Sequence, residues 1–390
     1  MLSTIGSPMQ HHTNICGIGA VTPYGWGRDR LWDGLVSGAP SATSVAGYGA
    51  GPADPGWVGL VPDGGRPEDG SRFARAMLAA VREAITDAKA RGWRPGRKVG
   101  VLHGAVLHDT ESWHDYHRQD TRWSRRDFIS LMPSTPMFSL MQEHGFHGPT
   151  MDLSSMCASG NAALITAKMW LDDGRADDVI VVTTDLSGLP AIVRSFVDAG
   201  VAVTDLHPFD ACRPFQTGSR GFVFAEAAVA FVVTRSDVDS YALVLGGEMG
   251  HEAHHAIGLA TDSAQAVSVV TDALGRAGVA PGAVRYLNAH GPGTRQCDAT
   301  ESAILERLPA AQVYSFKPST GHTQCAASLV EIAGTCLGWQ HNLIPAPNQV
   351  AEGHPRLLPG ATTPEPGIVV KTSVGMGGSV AAVVLENAAG

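Results

Sequence analysis

Two stretches of this chain share one layout, and that repetition limits its folds more than any other feature. Residues 149–185, PTMDLSSMCASGNAALITAKMWLDDGRADDVIVVTTD, read as a strand, a sharp turn, a helix of small apolar residues and a buried strand. Residues 314–340, YSFKPSTGHTQCAASLVEIAGTCLGWQ, repeat the strand, the turn and the small-residue helix. This order is that of a parallel-sheet unit, in which a crossover helix returns the chain to the sheet. Two copies point to an α/β fold with an internal duplication. A duplicated fold brings equivalent turns together near its pseudo-twofold axis. Cys157 holds the first turn and His322 takes nearly the same place in the second.

The rest of the chain fits such a frame. NICGIGAVTPYG begins as a strand, breaks at Pro23 and Gly25, and feeds a helix in RDRLWDGLVSG. SRFARAMLAAVREAITDAKARGW is the strongest amphipathic helix, with Phe73, Met77, Ala80, Val81, Ala84, Ile85 and Ala88 on one face. KVGVLHGAV reads as a buried strand, and the segment from Asp109 to Arg126 as a long surface excursion without a clear period. GFVFAEAAVAFVVTR and YALVLGGEMG are expected to be neighbouring strands, AQAVSVVTDALGRAG a helix, VRYLNAHGPGT a strand entering a Gly-rich loop, and IVVKTSVGMGGSVAAVVLE two strands around a glycine turn.

Composition narrows the function classes. Apolar residues make up 44%, charged residues 17%, and 46 glycines and 24 prolines supply many turns, which suits an α/β enzyme rather than a disordered or fibrous chain. A net charge of −9 argues against nucleic acid as a partner. The six cysteines lie far apart with no Cys-x-x-Cys, so neither a disulfide framework nor a structural zinc site is suggested and a cytoplasmic setting is expected. No apolar run approaches ~18 residues, so no membrane span is expected, and residues 1–13 read as a flexible N-terminal extension.

The chemistry gathers at three turns. At the start of a buried helix, unpaired backbone N–H groups and the helix dipole would stabilise a Cys157 thiolate and the oxyanion of a thioester carbonyl. The alternative is a small buried hydrophobe, the usual state of free cysteine. His290 in NAHGPGT and His322 in STGHTQ sit at strand ends or turns beside glycines, where α/β folds build their sites. Together the three suggest covalent thioester chemistry.

These motifs, in this order, resemble the β-ketoacyl-acyl-carrier-protein synthases, the condensing enzymes of fatty-acid and polyketide assembly. The resemblance runs from about Asn14 to Glu386 and rests on GIGAVTPYG, SSMCASG, CRPFQTGSRGFVFAEAA, NAHGPGT, KPSTGH and GMGGS. It implies a thiolase-like α/β fold in which two pseudo-symmetric halves, 14–249 with the nucleophile and 250–390 with the two histidines, form a layered α-β-α-β-α core. It implies an acyltransferase in which Cys157 carries an acyl thioester taken from the phosphopantetheine arm of an acyl carrier protein. His290 and His322 would assist decarboxylation of a malonyl-type extender, and Lys317 and Glu301 would set local electrostatics. The backbone N–H groups of Cys157 and Met376 would form the oxyanion hole, and Thr294, Met376, Gly377 and His255 would contact substrate or pantetheine. The resemblance also implies no metal, no organic cofactor, and a homodimer formed through the strand TMDLSS. The run TRWSRRDF, with Arg122, Arg125 and Arg126, is a candidate basic patch for an acidic carrier.

Two departures stand out. The family's HGTGT is HGPGT here, so Pro292 removes a hydroxyl and a backbone donor. Its GFGGTN is GMGGSV, which puts flexible Met376 where a phenylalanine gates the pocket. They leave open a second reading, a cyclase that closes a ring on a Cys157-bound β-keto chain without decarboxylation. A third is a non-catalytic partner like the chain-length subunits, against which the retained Cys157, His290 and His322 argue. Finally, HEAHH at residues 251–255 fits the zinc pattern His-Glu-x-x-His, but it follows Gly246, Gly247 and Gly250 and precedes any helix. It is expected to be a loop lining the pocket entrance, with His255 facing inward.

Overall fold

A computed structural model describes residues 13–118 and 124–388. Apart from Thr13, the expected N-terminal extension lies outside these residues, as does Arg122. The strands are β1 (Thr13–Thr22), β2 (Gly25–Trp26), β3 (Thr43–Ala46), β4 (Pro55–Val58), β5 (Val99–Gly104), β6 (Thr150–Leu153), β7 (Asp178–Asp185), β8 (Ala227–Thr234), β9 (Ala242–His251), β10 (Val284–Asn288), β11 (Gln312–Tyr314), β12 (Ile368–Val374) and β13 (Ser379–Asn387). A small hairpin pairs β3 with β4, and β2 pairs with β1. The others form one sheet in the order β11-β10-β12-β13-β9-β1-β8-β7-β5-β6.

The duplication is explicit in this order. Outward from the β1/β9 seam, each half runs first, fifth, fourth, second, third of its own strands. The pairing senses also agree: two antiparallel pairs and then two parallel ones on each side. The division at 249/250 therefore moves, because it cuts inside β9, and β9 heads the second copy. The expected neighbours β8 and β9 are also not paired. Both pair antiparallel with β1 from opposite sides, so β1 lies between them.

Both faces of each half-sheet are covered, which produces the layers. On β8, Ala227, Val229, Phe231 and Val233 face an inner core, and Ala228, Ala230 and Val232 face an outer one with helix Arg72–Ala90. On β13, Ala381, Val383 and Leu385 join the same inner core, and Val380, Ala382 and Val384 face helix Ala264–Ala277. This period-2 alternation with apolar residues on both faces is that of a sheet buried on both sides. All seven apolar-face residues expected for helix Arg72–Ala90 are buried.

The middle layer consists of the two duplicated helices, Ser159–Asp172 and Ala327–Gln340, which pack on each other and on both half-sheets. Helix Ala327–Gln340 is buried from Ala327 through Gly338, as small apolar residues on every side permit. Gly160 marks the helix contact: a Cβ there would lie 2.3 Å from Ser328 Oγ. Close approach lets the Asn161 N–H donate to Ser328 Oγ at 3.0 Å, tying one helix start to the other.

The expected surface excursion from Asp109 to Arg126 holds helix Thr110–Arg118 and the start of helix Arg125–Ser130, residues 119–123 lying outside the described residues, and helix Thr135–His144 follows it. The first of these buries no residue and carries only Trp113 and Tyr116 as large apolar side chains, too few to mark a helical period in the sequence. Among the described residues, no helix is long and apolar enough to cross a membrane.

Candidate active site

Cys157 stands one residue after Met156, whose φ of +51° makes the sharp turn between β6 and its helix. Ser159 holds this turn closed: its hydroxyl donates to Met156 O at 2.6 Å and accepts the Ser155 N–H at 2.9 Å. His290 follows β10, where Gly291 (φ +51°) and Gly293 (φ +74°) turn the chain around Pro292. His322 follows the short helix Lys317–Thr320, and its N–H donates to Val223 O at 2.8 Å.

The fold brings these three turns together. One donor atom from each of Cys157, His290 and His322 lies within 4.8 Å of the other two. The imidazole rings meet edge to face with centroids 5.3 Å apart, and Phe222 packs against His322 at 4.6 Å. All three residues line a cavity of about 850 Å³ that Pro292, Thr294, Met376, His254 and His255 also line. Gly377 is not among its lining residues. It is exposed with φ +85°, and serves the turn between β12 and β13.

Electrostatics give each member a state. Burial pushes the Cys157 thiol up to about 11, while Lys317 and the backbone N–H groups of Met376 and Cys157 itself act in the opposite direction. The sulfur is therefore a thiol at neutral pH, and the expected resting thiolate gives way to this desolvation. Burial holds both imidazoles well below their usual range, reinforced by Lys317 and Lys371. They are neutral and can accept a proton. The Gln324 N–H donates to His322 Nδ1 at 3.0 Å, which leaves the His322 proton on Nε2. His290 Nδ1 is buried without a hydrogen-bond partner among the described residues.

Glu301 and Lys317 do not pair with each other. Glu301 is fully buried and accepts the His290 N–H at 2.6 Å, the Gly291 N–H at 2.8 Å and the Thr372 hydroxyl at 2.6 Å, so it holds the histidine loop in place. Lys317, 1% exposed, donates to His290 O and lies 3.5 Å from Glu331 Oε1. Glu331 also accepts the Ser315 hydroxyl and the Phe316 N–H. Lys371 donates to Asn288 Oδ1 at 3.1 Å and to Ala289 O at 2.7 Å, and burial lowers it to about 7.

Sequence reasoning missed Glu331 and Lys371, although each left a trace. A single acid in the helix ASLVEIAGTC and a single lysine in the strand IVVKTSV are charges inside fully buried elements, which must be paired or functional. HEAHH occupies the end of β9 and an irregular loop, not a helix. His251 Nδ1 accepts the Ala253 N–H, and His255 Nδ1 accepts those of Ile257 and Gly258, so local turns engage both rings. Cys157, His290 and His322 are themselves residue types that zinc takes as ligands.

Comparison with known proteins identifies the family. The family model described as beta-ketoacyl synthase, N-terminal domain, matches residues 64–238, and that described as beta-ketoacyl synthase, C-terminal domain, matches residues 241–350. The tetracenomycin polyketide synthase ketoacyl synthase alpha subunit of Streptomyces glaucescens is 29% identical over 374 residues, covering 87% of this chain and 88% of the relative. The actinorhodin polyketide putative beta-ketoacyl synthase 1 of Streptomyces coelicolor is 30% identical over 367 residues, covering 85% and 78%. Among solved structures, a type II ketosynthase bound to a hexaketide, in complex with its acyl-carrier protein, superposes with a TM-score of 0.85 at 21% identity, covering 96% of this chain and 99% of that one. The ishigamide ketosynthase/chain length factor does so with a TM-score of 0.83 at 20% identity, covering 96% and 99%. These superpositions show a shared thiolase-like fold.

Proposed function

The chain belongs to the beta-ketoacyl synthase family, and we propose that within it this protein is a working condensing enzyme, extending a carrier-bound polyketide or fatty-acid-like chain by decarboxylative Claisen condensation. The observation that carries this reading is the convergence of Cys157, His290 and His322 within 4.8 Å on one cavity. A non-catalytic partner has no need of such a trio.

The chemistry follows from the states of the groups. A neutral imidazole accepts the Cys157 proton as the sulfur attacks the carrier thioester carbonyl, and the pantetheine thiolate leaves and is protonated. The N–H groups of Cys157 and Met376, which pull the thiol toward ionisation, support stabilisation of the oxyanion in that step. A malonyl thioester then binds and loses carbon dioxide. Its enolate oxygen receives hydrogen bonds from His322 Nε2–H and His290, which neutral rings can donate. The enolate carbon attacks the acyl-Cys157 carbonyl, and collapse of the tetrahedral intermediate releases the β-ketoacyl carrier and returns the cysteine. Lys317, Lys371 and the Glu301-held loop keep the rings neutral and in place. This sequence requires no metal or organic cofactor beyond the carrier's own pantetheine.

Mass spectrometry of Cys157-bound chains, with and without a malonyl-loaded carrier, tests the proposal. Growth by two carbons with release of carbon dioxide supports it. A cyclised product formed without malonyl would replace it with the cyclase reading, in which the same histidines serve an enolate inside one chain.

The partners follow from the same reading. The carrier would deliver its arm past His254, His255 and Thr294 at the cavity wall, and exposed Arg125 is the described member of the basic patch. Strand β6 is an edge strand with Thr150, Met151 and Asp152 exposed, so its open side offers a seam for a second copy or a homologous subunit.

A further inference from the structure

Outside the catalytic cavity, the structure gathers a second group of ligand-type side chains. One donor atom from each of His103, His108 and Asp152 lies within 4.8 Å of the other two. His103 is the penultimate residue of β5 and is fully buried, Asp152 is its register partner on parallel strand β6, and His108 lies in the loop that follows β5. The cluster thus sits at the carboxyl ends of parallel strands, where α/β folds place ligand sites.

The hydrogen bonding is incomplete in an informative way. His103 Nδ1 and Asp152 Oδ1 are 2.9 Å apart, so the carboxylate holds the imidazole tautomer and leaves a lone pair on Nε2. That nitrogen and His108 Nδ1 are both buried without a hydrogen-bond partner among the described residues. A histidine–aspartate pair alone would account for only one of the three ring nitrogens. The Phe73 ring, 5.8 Å from His103 and 6.5 Å from His108, supplies an apolar wall. An ion taken between His103 Nδ1 and Asp152 Oδ1 replaces the hydrogen bond they share: the carboxylate becomes a ligand and the His103 proton moves to Nε2.

We infer that His103, His108 and Asp152 form a binding site for a divalent transition-metal ion, with zinc the ion that two imidazoles and one carboxylate suit best. Three protein ligands leave a further position open to water, the usual pattern of an accessible zinc site. The ion would clip edge strand β6 to β5 five residues before Cys157, and so steady the strand that carries the nucleophile turn. Zinc bonds of about 2 Å need the donors to close in. Half-buried His108, on its loop, is the member free to move.

The test is zinc titration of the full-length, chelator-stripped protein by calorimetry, with metal content measured after desalting. Because the catalytic trio also carries zinc-type donors, the titrations use the Cys157→Ala protein and the same protein with His108→Ala or Asp152→Asn. One equivalent is expected to bind to Cys157→Ala, to raise its melting temperature and, with cobalt in place of zinc, to give a visible d–d band. His108→Ala and Asp152→Asn are expected to weaken binding at least about tenfold, with unchanged metal-free melting temperatures. Absence of stoichiometric zinc in Cys157→Ala, or binding indifferent to both further substitutions, overturns the inference. A metal-free melting temperature lowered by either substitution calls for His103→Gln, and retention of full affinity by that variant overturns it equally.

Discussion

The two central turns make the most instructive comparison in the molecule. Each follows a short strand or turn, each has a residue with positive φ, Met156 at +51° in one and Gln324 at +47° in the other, and each leads into a buried helix of small residues. Their chemistry has separated. The first turn presents a thiol and its helix starts with Ser159, Gly160 and Asn161, none of them charged, of which Ser159 and Asn161 bind backbone. The second presents an imidazole, and its helix buries Glu331, which reaches Lys317 and the backbone before it. In the proposed mechanism one copy of the duplicated unit supplies the nucleophile and the other an acid–base and electrostatic support. A pseudo-twofold frame makes that division workable because it delivers both turns to one cavity.

Loss of the nucleophile tests the comparison most severely. Cys157→Ala is expected to abolish acyl loading and lower turnover by about 10⁴-fold or more, read by intact-protein mass and product formation. His290→Ala and His322→Ala should each slow malonyl decarboxylation by about 10²–10⁴-fold, whereas loading, which needs only the one imidazole that accepts the thiol proton, should survive in one of the two variants. Equal loss of both half-reactions would show that the two copies do not divide the labour. Next in size is Glu331→Gln, which leaves Lys317 as a buried cation without its acid and should cost about 3–5 kcal/mol in chemical denaturation. Substituting both partners with apolar residues should recover much of that loss. Gly160→Ala, which forces a methyl against Ser328 Oγ where the two helices meet, should cost about 1–3 kcal/mol.

The mildest test changes only pH. A thiol pushed up to about 11 has little thiolate at neutral pH, and its fraction grows as pH rises. Alkylation of Cys157 by iodoacetamide, followed on its own peptide, should therefore increase by about tenfold per unit between about pH 7 and about pH 10. A plateau below about pH 9 would mean that the helix start and Lys317 outweigh burial.

Much of this protein was legible in its residues. The repeated strand–turn–helix layout, the small-residue helices and the order of SSMCASG, NAHGPGT and KPSTGH pointed to a duplicated α/β frame and placed Cys157, His290 and His322 in one site. Local sequence carried these because periodicity and turn chemistry act over a few residues. The pairing of β1 between β8 and β9, and the first helix after β5, which buries no residue, were not legible. Strand neighbours are chosen by long-range register and exposed helices lack an apolar stripe. Nor could spacing show that Glu301 holds a loop while Glu331, thirty residues on, is the acid facing Lys317, or that His103 meets Asp152. Those partners stand 11, 14 and 49 residues apart along the chain, and only the pairing of β5 with β6 and the packing of helices and loops on the sheet bring their charges and lone pairs within reach.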